Sequence, residues 1–163
     1  HGVRCATKLK LSKRNGQVRL NIEIKADAYE PHHPPDAIER QIVELVKKRK
    51  IQDSVLISSF EIDILVQIAS IEDPPPIALI SNTAASKRIV DICTHLKMFS
   101  WHPNQLIVTP HQVNTVQAAG LKVFPYNVKT FNDYEKMMGM KVDGVITDDP
   151  VLAYQWSRMR NAA

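Results

Sequence analysis

The chain has 163 residues, 44% hydrophobic and 23% charged, which gives enough apolar content for one domain with a core and too much for a disordered segment. The formal net charge of +4 is spread thinly, and its densest run, Lys47-Lys48-Arg49-Lys50, closes an expected helix, so it reads as a solvated helix end and not a nucleic-acid patch. Two cysteines, Cys5 and Cys93, argue against a disulfide framework, and no CxxC metal motif, membrane-length apolar run or signal-peptide core is present, so a soluble chain is expected, with cytoplasm preferred over export.

Apolar periodicity alternates between strand and helix from residue 18 onward. The spacing predicts a strand over 18–25, then a helix over 36–50 introduced by Pro34-Pro35-Asp36, with Ile38, Ile42, Leu45 and Val46 on one face. A strand over 54–60 and a helix over 61–70 follow, the latter carrying Ile62, Leu65, Val66 and Ala69 inward. Beyond Pro74-Pro75-Pro76 come a strand over 77–81, a helix over 85–96 with Ile89, Ile92, Cys93 and Leu96 on its apolar stripe, and a strand over 97–101. Thr109-Pro110-His111-Gln112 is a capping box with proline at the first helical position, and Gly120 marks the far end of that helix. A strand over 121–126, a helix over 131–138 (Phe131, Tyr134, Met138), a strand over 142–147 and a last helix from Asp149-Pro150 to about Trp156 complete the pattern.

Six strand-helix units with no hairpin signal between strands imply a parallel sheet with right-handed crossovers. The glycine-rich phosphate loops of open doubly wound sheets are absent, whereas polar residues end several strands, which is the pattern of a (β/α) barrel of TIM type. An eight-unit barrel typically takes about 250 residues, so the barrel is expected to be incomplete here. Residues 18–163 are read as this partial barrel and residues 1–17 as an N-terminal segment that includes a tag or non-native remnant. Open sheet edges demand cover, which makes homo-oligomerisation through them the natural remedy.

The strand Leu20-Asn21-Ile22-Glu23-Ile24-Lys25 alternates apolar and polar side chains, although strands of a buried parallel sheet are usually apolar on both faces. A polar cavity on the Asn21, Glu23 and Lys25 side accounts for this. Glu23 and Lys25 sit two apart, roughly 6.6 Å between Cα atoms, so the carboxylate can bind a hard divalent cation while the ammonium reaches a phosphate oxygen. A buried ion pair without catalytic role explains the two residues equally well.

Glu23-x-Lys25, Ser58-Ser59-Phe60, Ala118–Tyr126 and Val142-Asp-Gly-Val-Ile-Thr-Asp-Asp-Pro150, in that order, resemble the glycerophosphodiester phosphodiesterase family, in the C-terminal half of its domain. The resemblance implies hydrolysis of glycerophosphodiesters to an alcohol and glycerol 3-phosphate, within lipid and glycerol metabolism, with magnesium or calcium as cofactor. It implies Glu23 as a metal ligand, Lys25 as a contact that stabilises phosphate charge, and Phe60 as an apolar wall near the alcohol. Tyr126 stands where the family carries tryptophan in Trp-Thr-Val-Asn; here the stretch is Tyr126-Asn127-Val128-Lys129. Asp148 matches the family's Thr-Asp-x-Pro but reads better as helix capping and turn chemistry. His32-His33 and His102 are rim histidines without an assigned role. The family's His-Arg-Gly, Glu-x-Asp and His-Asp motifs do not occur in residues 1–19, so the acid and base histidines are not in this chain. The alternative is a non-catalytic half-barrel or oligomerising module; a different barrel enzyme or phosphate-binding module is a third, less favoured reading.

Overall fold

The computed structural model describes residues 19–28, 30, 32 and 34–162, and leaves residues 1–18, with Cys5 and the Asn15-Gly16 pair, together with Tyr29, Pro31, His33 and Ala163, outside the described set. The expected alternation is present as β1 (Leu20–Ile24), α1 (Ile38–Arg49), β2 (Val55–Ser59), α2 (Ile62–Ala69), β3 (Ile77–Ser81), α3 (Lys87–His95), β4 (Ser100–Pro103), α4 (Pro110–Ala118), β5 (Lys122–Val123), α5 (Phe131–Gly139) and α6 (Pro150–Ala162). The chain divides into two compact units. One comprises the residues up to Leu79 with Leu96–Phe99, and the other comprises Ile80–His95 with Ser100 onward, so the division passes through β3.

In the first unit β1 pairs parallel with β2 from Leu20↔Val55 to Ile24↔Ser59, and β2 pairs parallel with β3 from Ile57↔Ile77 to Ser59↔Leu79. Partners in a ladder share a face. Leu20, Ile22, Ile24, Val55, Ile57, Ser59, Ile77 and Leu79 therefore lie on one side, and Asn21, Glu23, Leu56, Ser58 and Ala78 on the other. Helix α2 has only eight residues, too few to be stable alone, and it is held by burial. Its Ile64, Leu65 and Ile68 are fully enclosed where it packs on β2 and α1, each worth about 1.5–3 kcal/mol.

The burial stripes differ from the expected ones by a fraction of a turn. Val43 is buried in α1 while Leu45 is exposed, because positions 39, 42, 43 and 46 form the inward stripe. In α2 Ile64 and Ile68 point inward and Val66 is exposed, for the same reason. Helix α1 ends at Lys50, which adopts a left-handed conformation (φ 54°) and donates its N–H to Lys47 O, so the basic run does form a helix terminus as expected.

In the second unit β4 and β5 run parallel, with Ser100↔Lys122 and Trp101↔Val123 in register and an isolated bridge at Asn104↔Tyr126. The end of β3 is tied to the end of β4 by Asn104 N–H to Ser81 O and by Trp101 Nε1–H to Ser81 Oγ. Helix α4 has the expected capping box between Thr109 and Gln112 and closes at Gly120, whose φ of 86° requires glycine. Helix α5 has a second capping box, Thr130 with Asp133, and packs Tyr134 and Met137 inward; the Tyr134 ring meets Trp156 of α6 at 5.9 Å.

Among the described residues five strands form, not six. The expected strand over 97–101 starts at Ser100, because Lys97 leaves α3 through a left-handed turn (φ 50°) that delays the extended backbone. The strand over 121–126 shortens to Lys122–Val123: Phe124 N–H reaches Trp101 O and Tyr126 N–H reaches Pro103 O, but Pro103 has no N–H to return the intervening bond. The segment over 142–147 is not a strand for a similar reason. Asp143 N–H bonds Val123 O and Ile146 N–H bonds Pro125 O, a step of three residues against two, and Pro125 lacks the reciprocal donor. Among the described residues the strand order is β1-β2-β3-β4-β5, and β1 has a ladder partner on one side only.

Candidate active site

The carboxyl end of β1 carries the first candidate group. Glu23 is half-buried beside Ser58 in the ladder, and Lys25, one residue past the strand, is exposed. With Lys25 open to solvent, the two do not form the buried ion pair that the sequence left possible. The polar character of this face is pronounced. Ser58 is completely buried, and its Oγ, like Asn21 Oδ1, has no hydrogen-bond partner among the described residues. An orphaned buried hydroxyl or amide costs about 1–3 kcal/mol, so the sequence retains polarity here against stability.

Ser59 explains how the first site is built. Its hydroxyl, fully buried, donates to Ile24 O at 2.8 Å and accepts from Glu61 N–H at 3.0 Å. One side chain thus fixes the backbone next to Lys25 and the turn that carries Phe60 into α2. Phe60 is exposed on that turn. The role of Ser59 is positional, and only the tertiary bond to Ile24 reveals it.

In the second unit, polar side chains cluster where β3, β4 and β5 end. Tyr126 is half-buried, and its Oη–H donates to Asn82 Oδ1 at 2.6 Å, with a longer approach to Ser81 O at 3.3 Å. Asn104 Nδ2 also approaches Asn82 Oδ1, at 3.4 Å. Gln105 donates through Nε2 to Asn127 O at 2.8 Å and through its backbone N–H to Tyr126 O, which holds the Tyr126-Asn127 backbone in place. Asn127 Nδ2 donates to Asp148. Asn82, Asn104 and Gln105 were not expected from the sequence; the only signal was a polar residue directly after each apolar strand end.

Two expectations are corrected by this geometry. His102 is not a rim residue: it lies within β4, 3% exposed, with Nε2 2.9 Å from Ser100 Oγ and its ring edge-to-face with Phe124. The shift of β4 toward the C-terminus turns a strand-end residue into an interior one. Asp148 is not the cap of the last helix; Asp149 Oδ1 accepts from Val151 and Leu152 N–H, while Asp148 serves Asn127.

The Val142–Pro150 stretch carries an unexpected structural group. Asp143 Oδ2 accepts from Val123 N–H and Gln117 Nε2, both at 2.9 Å, and Oδ1 lies 2.9 Å from Lys122 Nζ. Partial burial pushes its carboxyl up, but the bonds from Gln117, Lys122 and Val123 and the Lys122 charge outweigh this and leave it below its usual value. Cys93, buried on the α3 stripe, has its thiol pushed up to about 11 by burial, against a smaller lowering from a backbone hydrogen bond.

Among the described residues no three His, Cys, Asp or Glu side chains converge, so they do not by themselves make a divalent-cation site, and Glu23 offers a single carboxylate. No helix among them is long and apolar enough to cross a membrane.

A family model for the glycerophosphoryl diester phosphodiesterase family matches residues 6–152. A glycerophosphodiester phosphodiesterase of Caldanaerobacter subterraneus subsp. tengcongensis is 29% identical over 131 residues, covering 80% of this chain and 52% of the relative. That of Bacillus altitudinis is 26% identical over 144 residues, covering 87% and 57%. The chain therefore spans about half the length of the curated relatives it matches. An Oleispira antarctica phosphodiesterase, solved in complex with the product sn-glycerol-3-phosphate, superposes with a TM-score of 0.74 at 22% identity, over 86% of this chain and 56% of that one. At that identity the likeness concerns the fold: the parallel α/β architecture of TIM-barrel type.

Proposed function

The chain belongs to the glycerophosphoryl diester phosphodiesterase family, a hydrolase family, and from that premise we propose that it carries the substrate-binding part of a site that cleaves glycerophosphodiesters into an alcohol and glycerol 3-phosphate. What supports this reading is Glu23 near the carboxyl end of a parallel strand, with the exposed Lys25 directly after that end, inside the segment matched by the family model. In barrels of this type that end is where active sites assemble.

Lys25 donates to a phosphate oxygen and offsets the negative charge that grows as the phosphorus is attacked. Ser59 holds the Lys25 backbone by its bond to Ile24 O, and Phe60 excludes water beside the alcohol. Glu23 would be one ligand of a bound magnesium or calcium ion, which would polarise the phosphate. General acid–base catalysis contributes typically about 10²–10⁴-fold, and this chain has no His-Arg-Gly or His-Asp motif. Binding is therefore the property it retains, with turnover of the isolated chain near background.

Titration calorimetry of the chain with sn-glycerol 3-phosphate tests this. A charge-assisted hydrogen bond contributes about 1.5–3 kcal/mol, so Lys25→Ala weakens binding by roughly ten- to a hundredfold. Unchanged affinity in Lys25→Ala, or no binding by the wild-type chain, defeats the proposal. Release of glycerol 3-phosphate from glycerophosphocholine with magnesium or calcium, lost in Glu23→Ala, would show that the chain also catalyses.

A further inference from the structure

Within the first unit, the polar face of β1 and β2 places a buried donor beside a charged acceptor. Glu23 and Ser58 are direct partners in the ladder, on neighbouring strands about 4.8 Å apart, and their side chains leave the sheet on the same side. Ser58 is 0% exposed, and its Oγ has no hydrogen-bond partner among the described residues. Its ladder partner in β3 is Ala78, whose methyl accepts nothing. Asn21 lies two residues back on the diagonal, where Cα atoms stand roughly 7–8 Å apart, which makes Glu23 the nearer acceptor. Lys25 follows Glu23 by two residues, roughly 6.6 Å away between Cα atoms and within reach of an ion pair.

We propose that Ser58 is a positioning residue: its hydroxyl donates to the Glu23 carboxylate and holds that charge off Lys25, so that the ammonium stays free for a phosphate oxygen, a role that rests on the phosphate-binding reading above. A turn of the Glu23 side chain between staggered rotamers brings a carboxylate oxygen to Ser58 Oγ. The bond joins a buried donor to a half-buried charge, and hydrogen bonds to an ionised acceptor are the stronger kind. Untethered, the carboxylate pairs with Lys25 and competes with the ester for the same ammonium. A carboxylate accepts through both oxygens, so the tether leaves the second one open. The two serines then act on adjacent parts of the site: Ser59 fixes the backbone next to Lys25 through Ile24 O, and Ser58 fixes the acid beside it.

Titration calorimetry of the full chain with sn-glycerol 3-phosphate in metal-free buffer tests this, together with three-bond NMR couplings that report the Glu23 χ1 rotamer. An exposed ion pair is a modest competitor, so Ser58→Ala binds the ester about two- to fivefold more weakly than the wild type. The Glu23 couplings change from those of one rotamer in the wild type to an average in Ser58→Ala. In a Glu23→Gln background the same substitution changes affinity by less than about twofold, because the competing charge is gone. Ser58→Ala deletes a single buried oxygen, and a thermal melt checks that the fold persists. Unchanged affinity in Ser58→Ala, a loss that persists in the Glu23→Gln background, or averaged Glu23 couplings in the wild type each overturn the tether and leave the phosphate-binding reading intact. A wild-type chain that does not bind the ester overturns both.

Discussion

Asp143 offers the sharpest quantitative test, because a single carboxylate ties α4, β5 and the 142–147 segment. Asp143→Ala removes the acceptor of Val123 N–H, on a residue with no exposed surface, as well as the Gln117 and Lys122 contacts. A buried donor left unmade costs about 1–3 kcal/mol, and the Lys122 pair, whose lysine is about half exposed, adds no more than about 1 kcal/mol. The sum is about 1–4 kcal/mol, which for a chain of this size lowers Tm by roughly 2–16 °C. Asp143→Asn keeps an oxygen for Val123 and should lose about half as much. The Asp143 carboxyl is lowered in the folded state, so its stabilisation is fully present above the unfolded carboxyl value near about 4 and is lost as pH falls through the lower folded value. Urea unfolding at pH 7 and pH 3 should therefore show the wild-type advantage narrowing in acid. A loss under about 0.5 kcal/mol at pH 7, or a gap that does not narrow, refutes the reasoning.

Thr130→Ala should cost about 1 kcal/mol in denaturant unfolding by removing the oxygen that accepts Asp133 N–H, with Thr130→Ser recovering most of it; equal losses in both variants would mean the cap contributes nothing. With its thiol pushed up to about 11 and 1% exposed, Cys93 in a Cys5→Ser background should resist a thiol-reactive dye at pH 8 until the protein unfolds, and prompt labelling of the native protein would contradict the burial. The glycerol 3-phosphate titration of the Lys25→Ala variant completes the set.

Much of the fold was legible because its signals are local. The capping box at Thr109, the glycine at position 120 and the Pro150 start each depend on residues within one helical turn. Glu23 and Lys25 stood out by alternation alone, which needs no knowledge of the partner strand. The Tyr126–Asn82 bond, by contrast, joins residues 44 apart in the chain, and no periodicity reports a contact at that separation. Ser59 looked like one half of a motif, and its hydroxyl proved to be a backbone clamp only once β1 lay beside β2.

By itself the sequence determined the alternation of strands and helices, the family, and the polar face of β1, since side-chain period and short-range capping are written in neighbouring residues. The tertiary structure alone decided that β5 stops after two residues, that His102 is interior, and that Tyr126 donates to Asn82. Each of these depends on which proline or carbonyl stands across the ladder, and that is a property of paired strands.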